Sequence, residues 1–553
     1  MSLPDPPSSR GHAIPARPQL GVPLLTCLVA LFIVGVDNRA LWHELADVSH
    51  IGQMAGLGFT LAMGAFLTAA MALIFSVFAF RWVYKPFLVV VLLLASVIGY
   101  FMQTYGVVID DNMIRNTLDT DTHEAQSLAN AALVVHILLY GVLPSLLVVW
   151  VKIRRAVWWR QALIRIGFGL LLAVVAGGAL ASHYKSFSLT LREHRALRMY
   201  INPTYAIYAA VKLAKGEGKA IHHTLVPIAP NAHRVGAHSV HRRILVVVVG
   251  ETTRAANWGL SGYARPTTPE LAARRDIVNF AQATSCGTST AVSVPCMFSD
   301  KPRQAFDTDR AGYTENLLDV LQRAGITVRW EENQPGGCKG VCARVPTTHV
   351  NVLNVAGICD NGQCRDEIFR DDLKQRIANT SGDTVIVLHT MGSHGPDYTD
   401  RYPPAFRVFT PVCDSNRPQD CSRQALINSY DNTVRYTDHM LAGLIDALSA
   451  PGIQADTGLI YLSDHGESLG ENGIYLHGFP YLLAPEEQTR IPMIMWLSPG
   501  LRADTGIRAG CLVNRAQQPA SQDDLFASVL GLMGVDAEDY DPRRDITAGC
   551  RGA

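Results

Sequence analysis

Ile244-Leu245-Val246-Val247-Val248-Val249-Gly250-Glu251-Thr252-Thr253 decides the architecture of the C-terminal half of the chain. Six apolar residues in a row, mostly β-branched and without polar alternation, read as a strand buried on both faces. The run then stops at a glycine and delivers a carboxylate. Two later runs also end in polar clusters, one with histidines and one with a carboxylate and a histidine. Residues 384–388 lead into His389-Thr390-Met391-Gly392-Ser393-His394-Gly395-Pro396, and residues 458–462 lead into Ser463-Asp464-His465-Gly466-Glu467. Further apolar runs at 326–330 and 491–496 alternate with amphipathic stretches at 314–323 and 424–448. Such alternation predicts an α/β domain with a mostly parallel sheet covered on both faces. Ligands of such sheets sit at the carboxyl ends of the strands, so the three polar clusters are expected at one edge. Glu251, Asp464 and His465 offer two oxygens and a nitrogen, the set that zinc accepts while a fourth position stays open.

A metal at that edge gives meaning to a second stretch, Ser285-Cys286-Gly287-Thr288-Ser289-Thr290-Ala291-Val292-Ser293-Val294-Pro295-Cys296. Three hydroxyl residues follow a glycine between two cysteines. By itself this is a disulfide-closed loop with good turn and cap residues. Beside zinc, one of Thr288, Ser289 and Thr290 becomes a nucleophile, because a cation favours the ionised hydroxyl. Spacing leaves the choice among the three open. Lys339, in Gly336-Gly337-Cys338-Lys339-Gly340, reads equally as an exposed lysine or as a point charge for a phosphate.

The N-terminal part has a different solvent. The 553 residues are 48% hydrophobic, with mean hydropathy +0.13. Apolar stretches near 21–36, 53–80, 86–108, 126–151 and 163–182 reach the length of membrane spans, although the first does so only if it extends past Asp37–Arg39. Basic connections at Arg81 and Lys85, and from Lys152 to Arg165, alternate with acidic ones at 110–124. That bias puts the N-terminus in the cytoplasm and everything after about residue 183 outside. The expected order is a tail over 1–20, five transmembrane helices over 21–183, interfacial helices and a linker over 184–241, and a catalytic domain over 242–553. With 48 basic and 48 acidic residues the totals give nucleic acid no electrostatic attraction. Ten of the 11 cysteines lie in the exported part. They pair by spacing as 286/296, 338/342, 359/364 and 413/421, with 511 and 550 remaining, and no C-x-x-C appears. Disulfides in an oxidising periplasm are expected rather than structural zinc. Asn116, Thr120 and Glu124, at steps of four, form one polar stripe that spacing alone reads as a solvated helix face.

Gly250-Glu251-Thr252-Thr253-Arg254, Cys286-Gly287-Thr288-Ser289-Thr290, Cys338-Lys339-Gly340-Val341-Cys342, Gly392-Ser393-His394-Gly395-Pro396 and Ser463-Asp464-His465-Gly466-Glu467 together resemble the lipid A phosphoethanolamine transferases. That family includes the polymyxin (colistin) resistance enzymes and belongs to the alkaline phosphatase/sulfatase superfamily. The resemblance covers the whole chain and implies a bacterial inner-membrane protein, monomeric, with its catalytic domain in the periplasm. It implies that Glu251, Thr290, Asp464 and His465 hold a catalytic zinc, with Thr290 as nucleophile. It assigns His394 and His477 to a second zinc or to proton transfer, and His389 and Lys339 to the phosphoethanolamine group. Asn116, Thr120 and Glu124 are implied contacts of the ethanolamine head group. The implied donor is phosphatidylethanolamine and the implied acceptor is lipid A. The alternatives are a core sugar or other envelope glycan as acceptor, or glycerol-phosphate transfer. One departure stands out: family members often carry a serine where this chain has Gly336. Sulfatase chemistry is not expected, because Cys286 lacks the C-x-P-x-R context.

Overall fold

In the computed structural model, which describes residues 17–49, 54–119, 128–154, 156–193, 195–220, 224–235, 241–360, 363–378 and 380–552, four helices are long and apolar enough to cross a membrane. They are Leu57–Val77, Tyr84–Tyr105, Ala131–Trp150 and Trp158–Ser182. The expected first span is a bent pair, Val22–Asp37 and Arg39–Ala46, with 59° between its parts, so the count is five if the pair makes one crossing. The break falls at the polar triplet Asp37-Asn38-Arg39. There Asn38 donates to the carbonyls of Ile33 (2.9 Å) and Asn202 (2.8 Å), and the Asn202 amide donates to those of Asp37 (3.0 Å) and Ala95 (2.8 Å). An unpaired peptide group in hydrocarbon costs several kcal/mol, and these two side chains supply partners where the helix stops supplying them.

The chain divides into two compact units. One lies within residues 1–100 and 131–204, the other within 101–130 and 205–553. Residues 101–130, counted with the spans in the sequence reading, thus cluster with the C-terminal unit. Their helix α1 (Asp111–Asp119) begins behind Asp110, whose carboxylate accepts from the Met113 N–H at 2.8 Å. It is tied to the C-terminal unit by Arg115–Asp309 (3.0 Å) and Lys212–Asp111 (2.7 Å).

Seven strands form the central sheet: β1 (Arg242–Gly250), β2 (Ile277–Asn279), β3 (Thr327–Glu332), β4 (Thr347–His349), β5 (Thr384–His389), β6 (Ala455–Ser463) and β7 (Met493–Leu497). Their spatial order is β2-β7-β6-β1-β5-β3-β4. From β6 to β4 all neighbours are parallel; β7 runs antiparallel to β6, and β2 antiparallel to β7. The apolar run that opened the sequence reading divides between two cores. Leu245, Val247 and Val249 pack on one face, and Ile244, Val246 and Val248 on the other, all at 0–1% exposure. Burial contributes roughly 1.5–3 kcal/mol per such side chain, which outweighs the missing polar alternation. Two helices place site residues: α2 (Thr290–Met297), and the 26-residue α3 (Arg423–Leu448), which covers the second face.

All five pairs Cys286–Cys296, Cys338–Cys342, Cys359–Cys364, Cys413–Cys421 and Cys511–Cys550 are joined. The last closes the longest loop, 39 residues. Replacing Cys511 and Cys550 together by serine is expected to remove about 2–4 kcal/mol from the C-terminal unit. A thermal melt of the purified variant checks this, and once folded the variant should keep its catalytic rate.

Candidate active site

Parallel register assembles the site. Val249 of β1 lies opposite Leu462 of β6 and His389 of β5, and His389 lies opposite Glu332 of β3. Glu251, Asp464, His389 and Glu332 therefore leave four adjacent strands at one edge. The turn after β1 is tight. Thr252 adopts φ +51°, and α3 braces it by Tyr430, whose hydroxyl donates to the Thr252 carbonyl at 2.6 Å. A Cβ at Gly392 would stand 2.4 Å from the Glu251 carbonyl oxygen, at φ +54°, so only glycine lets the His394 loop lie against that turn.

Glu251, Asp464 and His465 are fully buried, and one ligand atom from each lies within 4.8 Å of the others. The hydrogen bonds of Asp464 and His465 leave electron pairs facing inward. Nδ1 of His465 donates to the Gly466 carbonyl (2.9 Å), which makes Nε2 the lone-pair nitrogen. That Nε2 stands 3.2 Å from Asp464 Oδ2 and 3.5 Å from Glu251 Oε1. Asp464 Oδ1 accepts from the N–H groups of Thr252 (3.1 Å) and His465 (2.7 Å), while its Oδ2 has no hydrogen-bond donor among the described residues. Burial holds His465 well below its usual pKa and lifts Asp464 to about 6. Two carboxylates and an imidazole lone pair converging in this way fit a divalent cation.

Thr290, at the first position of α2, completes this group. Its Oγ1 lies 3.3 and 3.4 Å from the two Glu251 oxygens and 3.5 Å from His465 Nε2. Thr288 faces away: its hydroxyl donates to the Phe479 carbonyl at 2.6 Å. Among the hydroxyls that spacing left undecided, Thr290 is thus placed at the cluster and Thr288 is engaged elsewhere.

The other expected residues lie around this centre. The ring of His477 is 4.4 Å from that of His465 and 5.5 Å from that of His394. Burial, with His477 and Arg401 nearby, holds His394 well below its usual pKa, so its imidazole is neutral at neutral pH. His389 Nδ1 pairs with Glu332 at 2.8 Å, and its buried Nε2 has no hydrogen-bond partner among the described residues. Lys339, at φ +50° in the loop closed by Cys338–Cys342, lines a cavity of about 500 Å³ with Glu332, Ala291, Pro295 and Arg115. The space where Gly336 lacks a side chain is shared by Lys339 Nζ, 3.0 Å from the position of a Cβ there, and by Gln334 Oε1 at 2.8 Å. Asn116 approaches from α1: its Nδ2 is 3.9 Å from a Cβ position on Gly478, next to His477. Thr120 and Glu124 lie outside the described residues.

Three residues with structural roles at the site carry no assignment from the sequence. Glu467 accepts from Tyr398 (2.6 Å) and pairs with His477 Nδ1 (2.9 Å). Glu332 orients His389 and also accepts from the Trp330 indole (2.8 Å). Glu467 closes one of the strand-end motifs and Glu332 is the last residue of β3, which is a usable signal. Gln522 has none, since it sits in an ordinary polar stretch. Fully buried, it accepts from the Cys286 N–H (2.7 Å) and donates to the carbonyls of Ser463 (2.7 Å) and Asp464 (2.6 Å), which ties the hydroxyl loop to the end of β6.

A family model described as phosphoethanolamine transferase EptA/EptB matches residues 67–217, and one described as sulfatase matches residues 243–535. Phosphoethanolamine transferase EptA of Escherichia coli (strain K12) is 39% identical over 544 residues, 97% of this chain and 98% of its own. Phosphatidylethanolamine transferase Mcr-1 of Escherichia coli is 39% identical over 547 residues, 96% of this chain and 97% of its own. The integral membrane protein lipooligosaccharide phosphoethanolamine transferase A of Neisseria meningitidis superimposes with a TM-score of 0.93 at 38% identity, covering 97% of this chain and all of that one.

The bridge made by Gln522 is open to a direct test. Gln522→Glu keeps the acceptor for Cys286 but turns a carboxylate oxygen toward two carbonyls, a loss of about 1–3 kcal/mol. The folded variant is expected to bind a divalent metal at least about tenfold more weakly, as read by metal titration of the purified protein.

Proposed function

Because the chain belongs to the phosphoethanolamine transferase family, a membrane-anchored branch of the alkaline phosphatase/sulfatase superfamily, we propose that it moves phosphoethanolamine from phosphatidylethanolamine to a phosphate of lipid A by way of Thr290. It is a multi-pass inner-membrane enzyme with its catalytic unit in the periplasm. The observation that carries the mechanistic reading is the position of Thr290 Oγ1 against Glu251 and His465, at the convergence with Asp464. Zinc held by Glu251, Asp464, His465 and Thr290 would lower the pKa of the threonine hydroxyl and offset charge on the phosphoryl oxygens.

The chain's own residues do the rest in two in-line displacements. Thr290 Oγ attacks phosphorus of the donor, the bond to the diacylglycerol oxygen breaks, and that oxygen takes a proton. Thr290 then carries phosphoethanolamine as an ester. A phosphate oxygen of lipid A attacks the same phosphorus, the bond to Oγ breaks, and Thr290 regains its proton. His394, neutral at neutral pH, and His477, held by Glu467, are the proton carriers within reach. His394 and His477 are also the pair about which a second zinc would bind. Lys339 sets a positive charge beside the phosphate, and His389, fixed by Glu332, offers Nε2 to the same group. Asn116 brings a carboxamide from α1 toward the head group. The product carries an ammonium beside each modified phosphate, so polycationic peptides such as polymyxins bind the envelope less well.

Purified protein incubated with phosphatidylethanolamine is expected to gain one phosphoethanolamine on Thr290, seen by peptide mass spectrometry, and to release diacylglycerol. Thr290→Ala should lose both and more than about a thousandfold of the transfer rate. A chelator should abolish labelling, and added zinc should restore it. A labelled or fully active Thr290→Ala variant ends this reading. Mass spectrometry of lipid A from cells with and without the protein identifies the acceptor; unchanged lipid A with a modified core sugar replaces it by the glycan alternative.

Gly336 gives a separate prediction. A serine there brings its Cβ to 3.0 Å from Lys339 Nζ and 2.8 Å from Gln334 Oε1, so the ammonium must shift. Gly336→Ser is expected to raise KM for the donor about three- to tenfold, the partial loss of a charge-assisted contact, with a smaller effect on kcat.

A further inference from the structure

We propose that the loop 478–485, which forms one lip of the active site, enters the interface of the periplasmic leaflet and holds the catalytic edge on the bilayer; this rests on the reading that both substrates are membrane lipids. The base of the loop is bonded to the stretch that carries the nucleophile. Gly478 N–H donates to the Thr288 carbonyl (2.7 Å), the Thr288 hydroxyl donates to the Phe479 carbonyl (2.6 Å), and the Tyr481 hydroxyl donates to the Ser285 carbonyl (2.9 Å). Phe479 is buried at 5% exposure. Beyond this rigid base the polarity reverses. Leu482 is 91% exposed and Leu483 39%, on a turn closed by the Leu483 N–H to the Pro480 carbonyl (2.8 Å).

Chain connectivity identifies what covers these leucines. Gly106 directly follows the span Tyr84–Tyr105, and a Cβ on it would stand 3.1 Å from the Gly473 carbonyl oxygen and 3.2 Å from Ile474 Cα. Gly473 and Ile474 belong to the hairpin of Ser468–Glu471 with Ile474–Leu476, which runs directly into His477 and the lip. Gly106 therefore abuts the turn of the hairpin that leads into the lip, and Leu482 is eight positions on from Ile474, at most about 28 Å of chain. The tip also has the composition of interfacial segments. The Arg303 guanidinium stacks over the Tyr481 ring at 4.2 Å, which sets an aromatic and a cation beside two exposed leucines. A lip so placed brings Thr290 to the depth of a lipid phosphate without extracting either lipid.

The test uses the full chain in nanodiscs of phosphatidylethanolamine and phosphatidylglycerol, with plain or brominated acyl chains. Leu482→Trp should show fluorescence, above the wild-type background, that is quenched by brominated chains. Val513→Trp, on the helix Ala509–Arg515 that carries no site residue, should not be quenched. Equal quenching at both positions, or none at 482, overturns the proposal. So does a blue-shifted but unquenched emission from the Leu482→Trp variant, which marks a protein partner on the tip. In parallel, Leu482→Asp combined with Leu483→Asp should raise KM for the bilayer donor about tenfold while leaving turnover of a water-soluble short-chain phosphatidylethanolamine at the wild-type value. Equal losses on both donors assign the loop a structural role and overturn the lip. If wild-type protein turns over neither donor, the transferase reading fails, and the quenching result still judges the lip by itself.

Discussion

Glu251 and Asp464 are carboxylates without solvent exposure whose oxygens converge, within 4.8 Å, on one imidazole nitrogen. At an effective dielectric of about 20, two unit charges at that spacing repel by roughly 3–4 kcal/mol, before any cost of taking either out of water. The hydrogen bonds of Asp464 and His465 do not remove this conflict. The donors that reach Asp464 come from backbone N–H groups behind it, and His465 has spent its N–H on the Gly466 carbonyl. The arrangement is strained alone and complete with a cation. The surrounding architecture serves to hold it: the parallel register of β1 and β6, the brace of Tyr430 on Thr252, and the Gln522 bridge between the end of β6 and the hydroxyl loop.

Much of this is legible in the sequence, because the relevant physics is local. Continuous apolar runs announce strands covered on both faces, and parallel pairing then forces their ends to one edge. Glu251, His389 and Asp464 are therefore expected together, and they stand together. Thr290 is not separable from Thr288 by spacing, since both are threonines in one turn. The distinction lies in Phe479, 191 residues away from Thr288 along the chain, whose carbonyl engages the Thr288 hydroxyl. Gln522 is illegible for the same reason: its role consists of bonds to residues 236 and 58 positions away, and its own neighbours say nothing of them. The first span is legible as irregular. The polar triplet at 37–39 marks the break, but its tolerance in an apolar setting depends on Asn202, 164 positions from Asn38.

The disulfides follow a related logic. Three of the five sit beside site loops: Cys286–Cys296 joins the hydroxyl stretch to the end of α2, Cys338–Cys342 closes the Lys339 turn, and Cys359–Cys364 ends two residues before Asp366, whose carboxylate anchors the N–H groups of Met391 and Gly392. Loops at strand ends have few apolar contacts to order them, so covalent closure substitutes for packing where the chemistry needs fixed positions.

Gly336 and Lys339 show how such a site varies without losing its charge. A side chain at 336 and the ammonium of Lys339 compete for one volume, because a Cβ there would stand 3.0 Å from Nζ. With glycine, the volume is left to the lysine and to Gln334, whose Oε1 is 2.8 Å from that position. A hydroxyl at 336 would add a neutral hydrogen-bond donor to that space, whereas the chain as it stands places a full positive charge beside it. A charged donor interacts with phosphate roughly twice as strongly as a neutral one. On the proposed reading the charge of Lys339 serves where the hydroxyl is missing, and the Cys338–Cys342 closure holds the turn, at φ +50°, that carries it.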